Sequence, residues 1–493
     1  MPTGLESLDI AILIAYCGVL VGLGLYYQRR CRTAQQFMVA DRTIPAWAAG
    51  LAVMSAYTSS ISYIATPGQA YEFNWHPFVF SLCIVPVAWV VSRYAIPYYR
   101  KQQLVSVYEF LENRLGGWGR TYAALSFLLL MIGRMAMILY LVGLLISTFV
   151  PWNVGAIIIV IGAITIIYTL LGGMEAVIWT DVMQSLVMIA GIVFCAVSLS
   201  IAIFSGPEPL IESALQADKF SLGSLKPSLA SRTVWVMILY GITENLRNLL
   251  ADQNYVQKYS SVPTERQAKR SVWIAMLIYI PLTAIFLYIG TALFAFYSGG
   301  AHELSADITK GDEVFPYFIA TQLPAGLKGL ILAAIVAAAM STVDSALNCS
   351  ATVLLLDFYR RHVNPEVSER ASLLFLRGVT VLWGMIGTGF ALLVIRAGRS
   401  ALDIWWQISG IFGGGILGLF LLGLLCIRLT LRQGLVAIGA SIATIIWATF
   451  ARDLPTRFAW LQCPLDPIIT GALGTTALLL VALILGLPGR RHA

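Results

Sequence analysis

The chain has 493 residues, 58% of them hydrophobic and only 12% charged, with a mean hydropathy of +0.80. Soluble domains carry about a quarter of their residues as charges, so this balance leaves a multi-span membrane protein as the class. The net charge of +7 raises nucleic acid as a partner, but the placement of the basic residues gives another account below. The seven Cys and four His show no metal or disulfide spacing, which argues against a zinc site or a bridged scaffold. The N-terminus lacks a basic n-region and a cleavage site, so the first apolar run reads as a span rather than a signal peptide.

A span needs about 20 mostly apolar residues. Thirteen candidates are centred near residues 18, 57, 87, 135, 161, 190, 243, 284, 342, 385, 415, 443 and 477. With the N-terminus outside, nineteen Lys and Arg fall in inner loops (among them Arg29, Arg30, Arg100, Lys258, Lys269, Arg360 and Arg361) and nine in outer ones. That bias obeys the positive-inside rule and accounts for the basic balance without nucleic acid. An odd number of spans puts the C-terminus in the cytoplasm.

The second span, from Trp47 to Tyr71, gathers Ser55, Tyr57, Thr58, Ser59, Ser60 and Ser62 before Pro67-Gly68. The seventh, about Thr233 to Tyr255, carries Gly241, Thr243, Glu244, Asn245, Arg247 and Asn248 at its centre. Irregular backbone at membrane depth persists only where it lines a cavity or is buried in protein. Two interrupted spans five apart predict two five-span halves of opposite direction, the pattern of an inverted-repeat secondary transporter. The expected organisation is an extra helix and inner loop over 1–43, a first repeat over 44–204 and an outer loop over 205–232. A second repeat over 233–433 and two scaffold helices over 434–493 complete it.

The fourth span holds Arg134 with no acidic residue within one turn. A lone mid-membrane arginine calls for an anion, either a substrate carboxylate or a carboxylate on another helix such as Glu244 or Asp181. Glu244 and Arg247, three apart on one helix, are expected to neutralise each other. Asp181 lies inside the apolar boundary of the sixth span, just past Gly172-Gly173.

The ninth span contains Ala337-Ala338-Ala339-Met340-Ser341-Thr342-Val343-Asp344-Ser345. At 100° per residue, Ser341 and Ser345 share a face and Asp344 lies beside them. Such oxygen donors suit a hard cation such as sodium. The competing reading is back-bonding of the hydroxyls to their own helix, which covers Ser341 and Thr342 but not Asp344. Asp181 and Asp344 together invite a shared cation. In the eleventh span, the glycines Gly413-Gly414-Gly415 read as close helix packing or a hinge, since no strand precedes them as a nucleotide loop requires.

Over nearly its full length the chain resembles the sodium:solute symporter family. The resemblance is carried by Gly172-Gly173…Thr180-Asp181…Gln184, Ala338-x-x-Ser341-Thr342 and Asp252-Gln253…Val256-Gln257-Lys258-Tyr259. Gly133-Arg134 and the hydroxyls around Ser59 and Ser62 bring it nearest to bacterial sodium-coupled sialic acid transporters. The resemblance implies an all-α membrane protein with a LeuT-like core of two inverted five-helix repeats in a bacterial inner membrane. It implies a shared sodium site at the carbonyls of Ser55, Thr58 and Ala338 and the hydroxyls of Ser341 and Thr342. A second sodium would fall on Asp181, Ser341, Asp344 and Ser345, where Asp344 replaces a hydroxyl residue. Arg134 would grip the substrate carboxylate, with Ser59 and Ser62 as hydroxyl contacts. Tyr57 and Ser81 also line the expected pocket but depart from the pattern there, so the pocket is reshaped.

The expected function is sodium-driven import of a small anionic solute by alternating access, with sodium as the coupling ion and neither an organic cofactor nor catalysis. A neutral sugar or polyol, or a sensor or channel of the same fold, is the alternative. One sodium with one monoanion gains nothing from the membrane potential. Two sodiums with one anion move one net charge, worth about 2.3 kcal/mol and roughly a fiftyfold accumulation at 100 mV.

Overall fold

The computed structural model describes residues 5–204, 211–298, 304–306, 308–395, 401–427, 429–453 and 456–486. Arg396, Arg399, Arg428, Arg490 and Arg491, which entered the orientation reading, lie outside the described residues, as do His302 and Glu303. The described chain is helical, and each of the thirteen predicted centres falls within a helix. Nine helical stretches among the described residues are long and apolar enough to cross a membrane.

Helix α1 (Ser7–Gln28) precedes an interrupted span made of α2 (Ala46–Tyr57) and α3 (Ser60–Glu72). The interruption is where the hydroxyl cluster places it. Thr58 (φ −102°, ψ 94°) and Ser59 (φ −99°, ψ 175°) are extended, and the Ser59 N–H donates to the Ser62 hydroxyl at 3.3 Å, capping α3. Carbonyls in the last turn of α2 lose their helical donors there. Pro67 and Gly68 do not mark the break; both sit inside α3.

Next come the span His76–Lys101, α4 (Gly117–Ser147) and α5 (Val154–Phe204), whose 51 residues hold one non-helical position, Gly173 (φ 59°, ψ −152°). Tyr168 and Thr180 both reach Asp344 Oδ2, at 2.7 and 3.4 Å. In a straight helix their Cα atoms would be about 18 Å apart. The chain therefore doubles back at Gly173, and α5 is the fifth and sixth spans joined by a one-residue reversal. Only glycine suits that backbone, and a Cβ there would come within 2.8 Å of the Phe37 Cα.

The seventh span breaks later than its sequence suggests. Helix α6 (Val234–Leu246) runs through Gly241, Thr243, Glu244 and Asn245, widens into a π turn over Arg247–Ala251, and stops at extended Asp252. The Asp252 carboxylate then accepts the Asn254 N–H at 3.0 Å and starts α7 (Gln253–Ser260). Glu244 and Arg247 satisfy each other on one face, so the polar centre does not need to unwind.

Helix α8 (Glu265–Ser298) packs on α2 and α3, and α9 (Leu327–Val353) packs on α1, α4 and α5. Nearly every residue of α9 is buried, so it forms the axis of the molecule. Its N-terminus is capped from far away: buried Asp9 of α1 accepts the N–H groups of Gly326 and Gly329, each at 2.8 Å. Helices over Glu369–Val394, Ala401–Leu424, Leu431–Phe450 and Thr470–Gly486 complete the chain. On Ala401–Leu424 the glycines serve close packing, since a Cβ on Gly415 would meet the Tyr122 hydroxyl at 2.6 Å.

Candidate functional site

On α9 the hydroxyls of Ser341 and Thr342 both donate to the Ala338 carbonyl, at 3.2 and 3.1 Å. Back-bonding of this kind directs the hydrogens along the helix and leaves oxygen lone pairs for another partner. Ser55 and Thr58 belong to the α2 break, and α2 packs directly on α9. The five residues expected to share a sodium are thus contributed by two touching helices, one of them unwound.

The residues expected around a second sodium are arranged less simply. Asp181 Oδ2 faces the ammonium of Lys258 at 2.9 Å, with both side chains buried. Lys258 also donates to the Ala52 carbonyl at 3.0 Å, and the Ser55 hydroxyl donates to Asp181 Oδ1 at 3.4 Å. Lys258, counted above among inner-loop charges, is therefore an interior residue of α7. Asp344 Oδ2 accepts from the Tyr168 hydroxyl at 2.7 Å, and its Oδ1 lies 3.1 Å from the Ser345 hydroxyl. Ser345 also donates to the Ser341 carbonyl at 2.7 Å. With Asp344 ionised, two carboxylates and one ammonium would leave this buried cluster one positive charge short, and burying a charge without compensation is costly.

An open cleft lies next to the α2 break. Tyr57, Ser59, Ser62, Ser81 and Arg134, all expected substrate contacts, border it together. Arg134 lies 3.8 Å from Asp252 Oδ2 and donates to the Tyr255 hydroxyl at 3.3 Å. Its carboxylate partner is neither Glu244 nor Asp181. Tyr255 in turn donates to the Ala56 carbonyl at 3.0 Å, so one hydroxyl ties the arginine to the turn before Thr58. Tyr57 packs on Tyr255 and Tyr279 with ring centroids 4.7 and 5.1 Å apart, forming an aromatic wall. Tyr168, Asp252, Tyr255 and Lys258 are the residues that chain-order reading missed as site members. The signal for three of them was the Asp252…Lys258 stretch, noted for its pattern and not for its charges.

The model of the sodium:solute symporter family matches residues 37–440, most of the chain and all of α2 to α9. The chain belongs to the sodium:solute symporter family. It is 32% identical to the sodium/sialic acid symporter NanT of Aliivibrio fischeri, covering 95% of this chain and 92% of that one. It is 30% identical to the sodium/sialic acid symporter SiaT of Proteus mirabilis, over 94% of each. Among solved structures, a substrate-bound, outward-open sodium-coupled sialic acid symporter superposes with a TM-score of 0.88 at 28% identity over 97% of both chains. The nucleobase-cation symporter Mhp1, at 15% identity and a TM-score of 0.53, shares the fold alone. The expected all-α membrane fold with a LeuT-like core of inverted five-helix repeats is the fold these structures share.

Proposed function

We propose that this chain imports a carboxylate-bearing sugar of the sialic acid class together with sodium, by alternating access. The observation that carries the reading is Arg134. Its guanidinium borders the cleft alongside the hydroxyl residues Ser59 and Ser62, and Tyr255 links it to the α2 break, which holds two of the five residues assigned to the shared sodium. Arginine matches a carboxylate with two parallel N–H donors, and serine hydroxyls suit a polyhydroxylated ring. The relatives with the same organisation are named as sodium/sialic acid symporters.

The shared sodium is assigned to Ser55, Thr58, Ala338, Ser341 and Thr342. A second cation is assigned beside Asp344, because Lys258 already neutralises Asp181 in this conformation. Thirteen spans, an outside N-terminus and a cytoplasmic C-terminus follow from the loop charges. The division into an extra helix, two repeats and two C-terminal helices follows from the two breaks at Thr58 and Asp252. A second reading, transport of a neutral sugar or polyol, is favoured by the partners Arg134 already has in Asp252 and Tyr255.

The test is uptake by purified protein in sealed vesicles. An inward sodium gradient should concentrate labelled sialic acid, a potassium gradient should not, and an inside-negative potential should raise accumulation further. Transport of sialic acid that ignores sodium, or of neutral sugars alone, rejects the proposal.

A further inference from the structure

The family motif around Asp181 ends on Gln184, a residue that neither the shared sodium nor the substrate cleft uses. Gln184 is fully buried, and neither its amide oxygen nor its nitrogen has a hydrogen-bond partner. The Tyr16 hydroxyl of α1 is also buried without one. The Gln184 amide lies beside the hydroxyls of Tyr16 and Tyr168 without completing a well-directed bond, and Tyr16 is within electrostatic range of Asp344 and Asp181. Buried polar groups are nearly always satisfied, so three orphaned atoms gathered beside Tyr168, whose hydroxyl holds Asp344, mark a missing occupant.

Hydrogen counting at Asp344 points the same way. A carboxylate offers about four acceptor positions. The Thr180 hydroxyl has one hydrogen, directed at the carbonyls of Ala176 and Val177, both at 2.9 Å. The Ser345 hydrogen goes to the Ser341 carbonyl. Lys258 is engaged by Asp181 and Ala52. Among the described contacts of this carboxylate, Tyr168 is thus the one committed donor, and the oxygens of Thr180 and Ser345 turn lone pairs toward it at 3.4 and 3.1 Å. Such a set is short of positive charge and rich in hard oxygen donors, the chemistry of a small monovalent cation rather than of another hydrogen-bond donor.

We propose that the Asp344 carboxylate, the Gln184 amide oxygen and the hydroxyl oxygens of Tyr16 and Tyr168 form a sodium site on the α1 side of α9, apart from Asp181. This deepens the sodium-coupled reading and rests on it. It makes α1, the helix outside the repeats, part of the ion machinery. It also explains how a second cation binds while Lys258 stays on Asp181.

The experiment follows thermal unfolding of the purified full chain against sodium chloride, with choline chloride holding ionic strength, in the wild type and in Tyr16→Phe, Gln184→Leu and Thr342→Ala. Tyr16→Phe removes a single oxygen and keeps the packing, so it reports even if Gln184→Leu fails to fold. Loss of one ligand of this kind is expected to raise the half-saturating sodium concentration by roughly tenfold. The steepness of the sodium response should fall toward that of one ion in both α1-side variants. If Tyr16→Phe and Gln184→Leu follow the wild-type curve while Thr342→Ala does not, the pocket holds water only and this site is rejected while the shared site stands. If the wild type itself ignores sodium, the sodium-coupled reading and this site fall together.

Discussion

Removing Lys258 tests whether its ammonium serves as a built-in cation for Asp181. The two side chains are 1% and 0% exposed and 2.9 Å apart. At an effective dielectric constant of about 20, charges at that separation attract by about 6 kcal/mol. Desolvation of both ions offsets much of this, but losing one partner leaves the other uncompensated and typically costs about 3–5 kcal/mol. Lys258→Met keeps the stem and removes the charge; Asp181→Asn keeps the shape and removes the opposite one. Each single variant should be strongly destabilised in choline chloride, and the double variant should be more stable than either. Sodium should protect Lys258→Met more than it protects the wild type, because the ion can now neutralise Asp181. At a hundred times its Kd a ligand adds about 2.7 kcal/mol. Chemical unfolding of the four proteins, with and without sodium, measures the cycle. Additive single effects, or equal protection by sodium in all four, would refute the reasoning.

Three further outcomes are expected. Arg134→Ala should weaken binding of a sugar carboxylate by roughly a hundredfold, the loss of a bidentate charged hydrogen-bond pair, and spare a neutral analogue. Isothermal titration with both ligands checks it, and equal losses would favour the neutral-substrate reading. Gly173→Ala should destabilise the fold by about 1–3 kcal/mol from backbone strain alone, and more from the clash with Phe37, read as reduced folded yield and a lower unfolding midpoint. Asp312, on the short helix Gly311–Gln322 outside the nine spans, has its carboxyl pushed up to about 6 by burial and by the charge of Glu72. Its folded state holds the proton more tightly than the unfolded chain, so this group adds stability as pH falls from about 6 toward 4 and loses it as pH rises back. Unfolding midpoints across that window should climb on acidification in the wild type and stay flatter in Asp312→Asn.

What the sequence revealed was whatever a local pattern can encode. A hydroxyl run in an apolar span announces an unwound turn, and the structure puts that turn at Thr58 and Ser59. Gly172-Gly173 lies between the fifth and sixth apolar runs, and the structure puts the reversal between those spans at Gly173. Lys258 was misplaced because Gln253–Ser260 is polar along its length and reads as an interfacial segment, while its burial depends on Asp181 from the other half of the chain. The partner of Arg134 was misjudged for the same reason: Asp252 approaches it only through tertiary packing. Glu244 and Arg247 neutralise each other as their spacing predicts, and for that reason their turn stays helical and the seventh span breaks later, at Asp252.

The cap that Asp9 places on α9 has a consequence for how the chain is made. The ribosome delivers Asp9 to the membrane 317 residues ahead of the Gly326 amide that holds it. Until that amide arrives, the Asp9 carboxylate has the local Glu6 N–H, at 3.1 Å, but not the two glycine amides that complete its burial. Its final depth is fixed only when the ninth span arrives. Helix α1 thus depends on a contact made late in synthesis, and a nascent chain truncated before Gly326 leaves it without that lock.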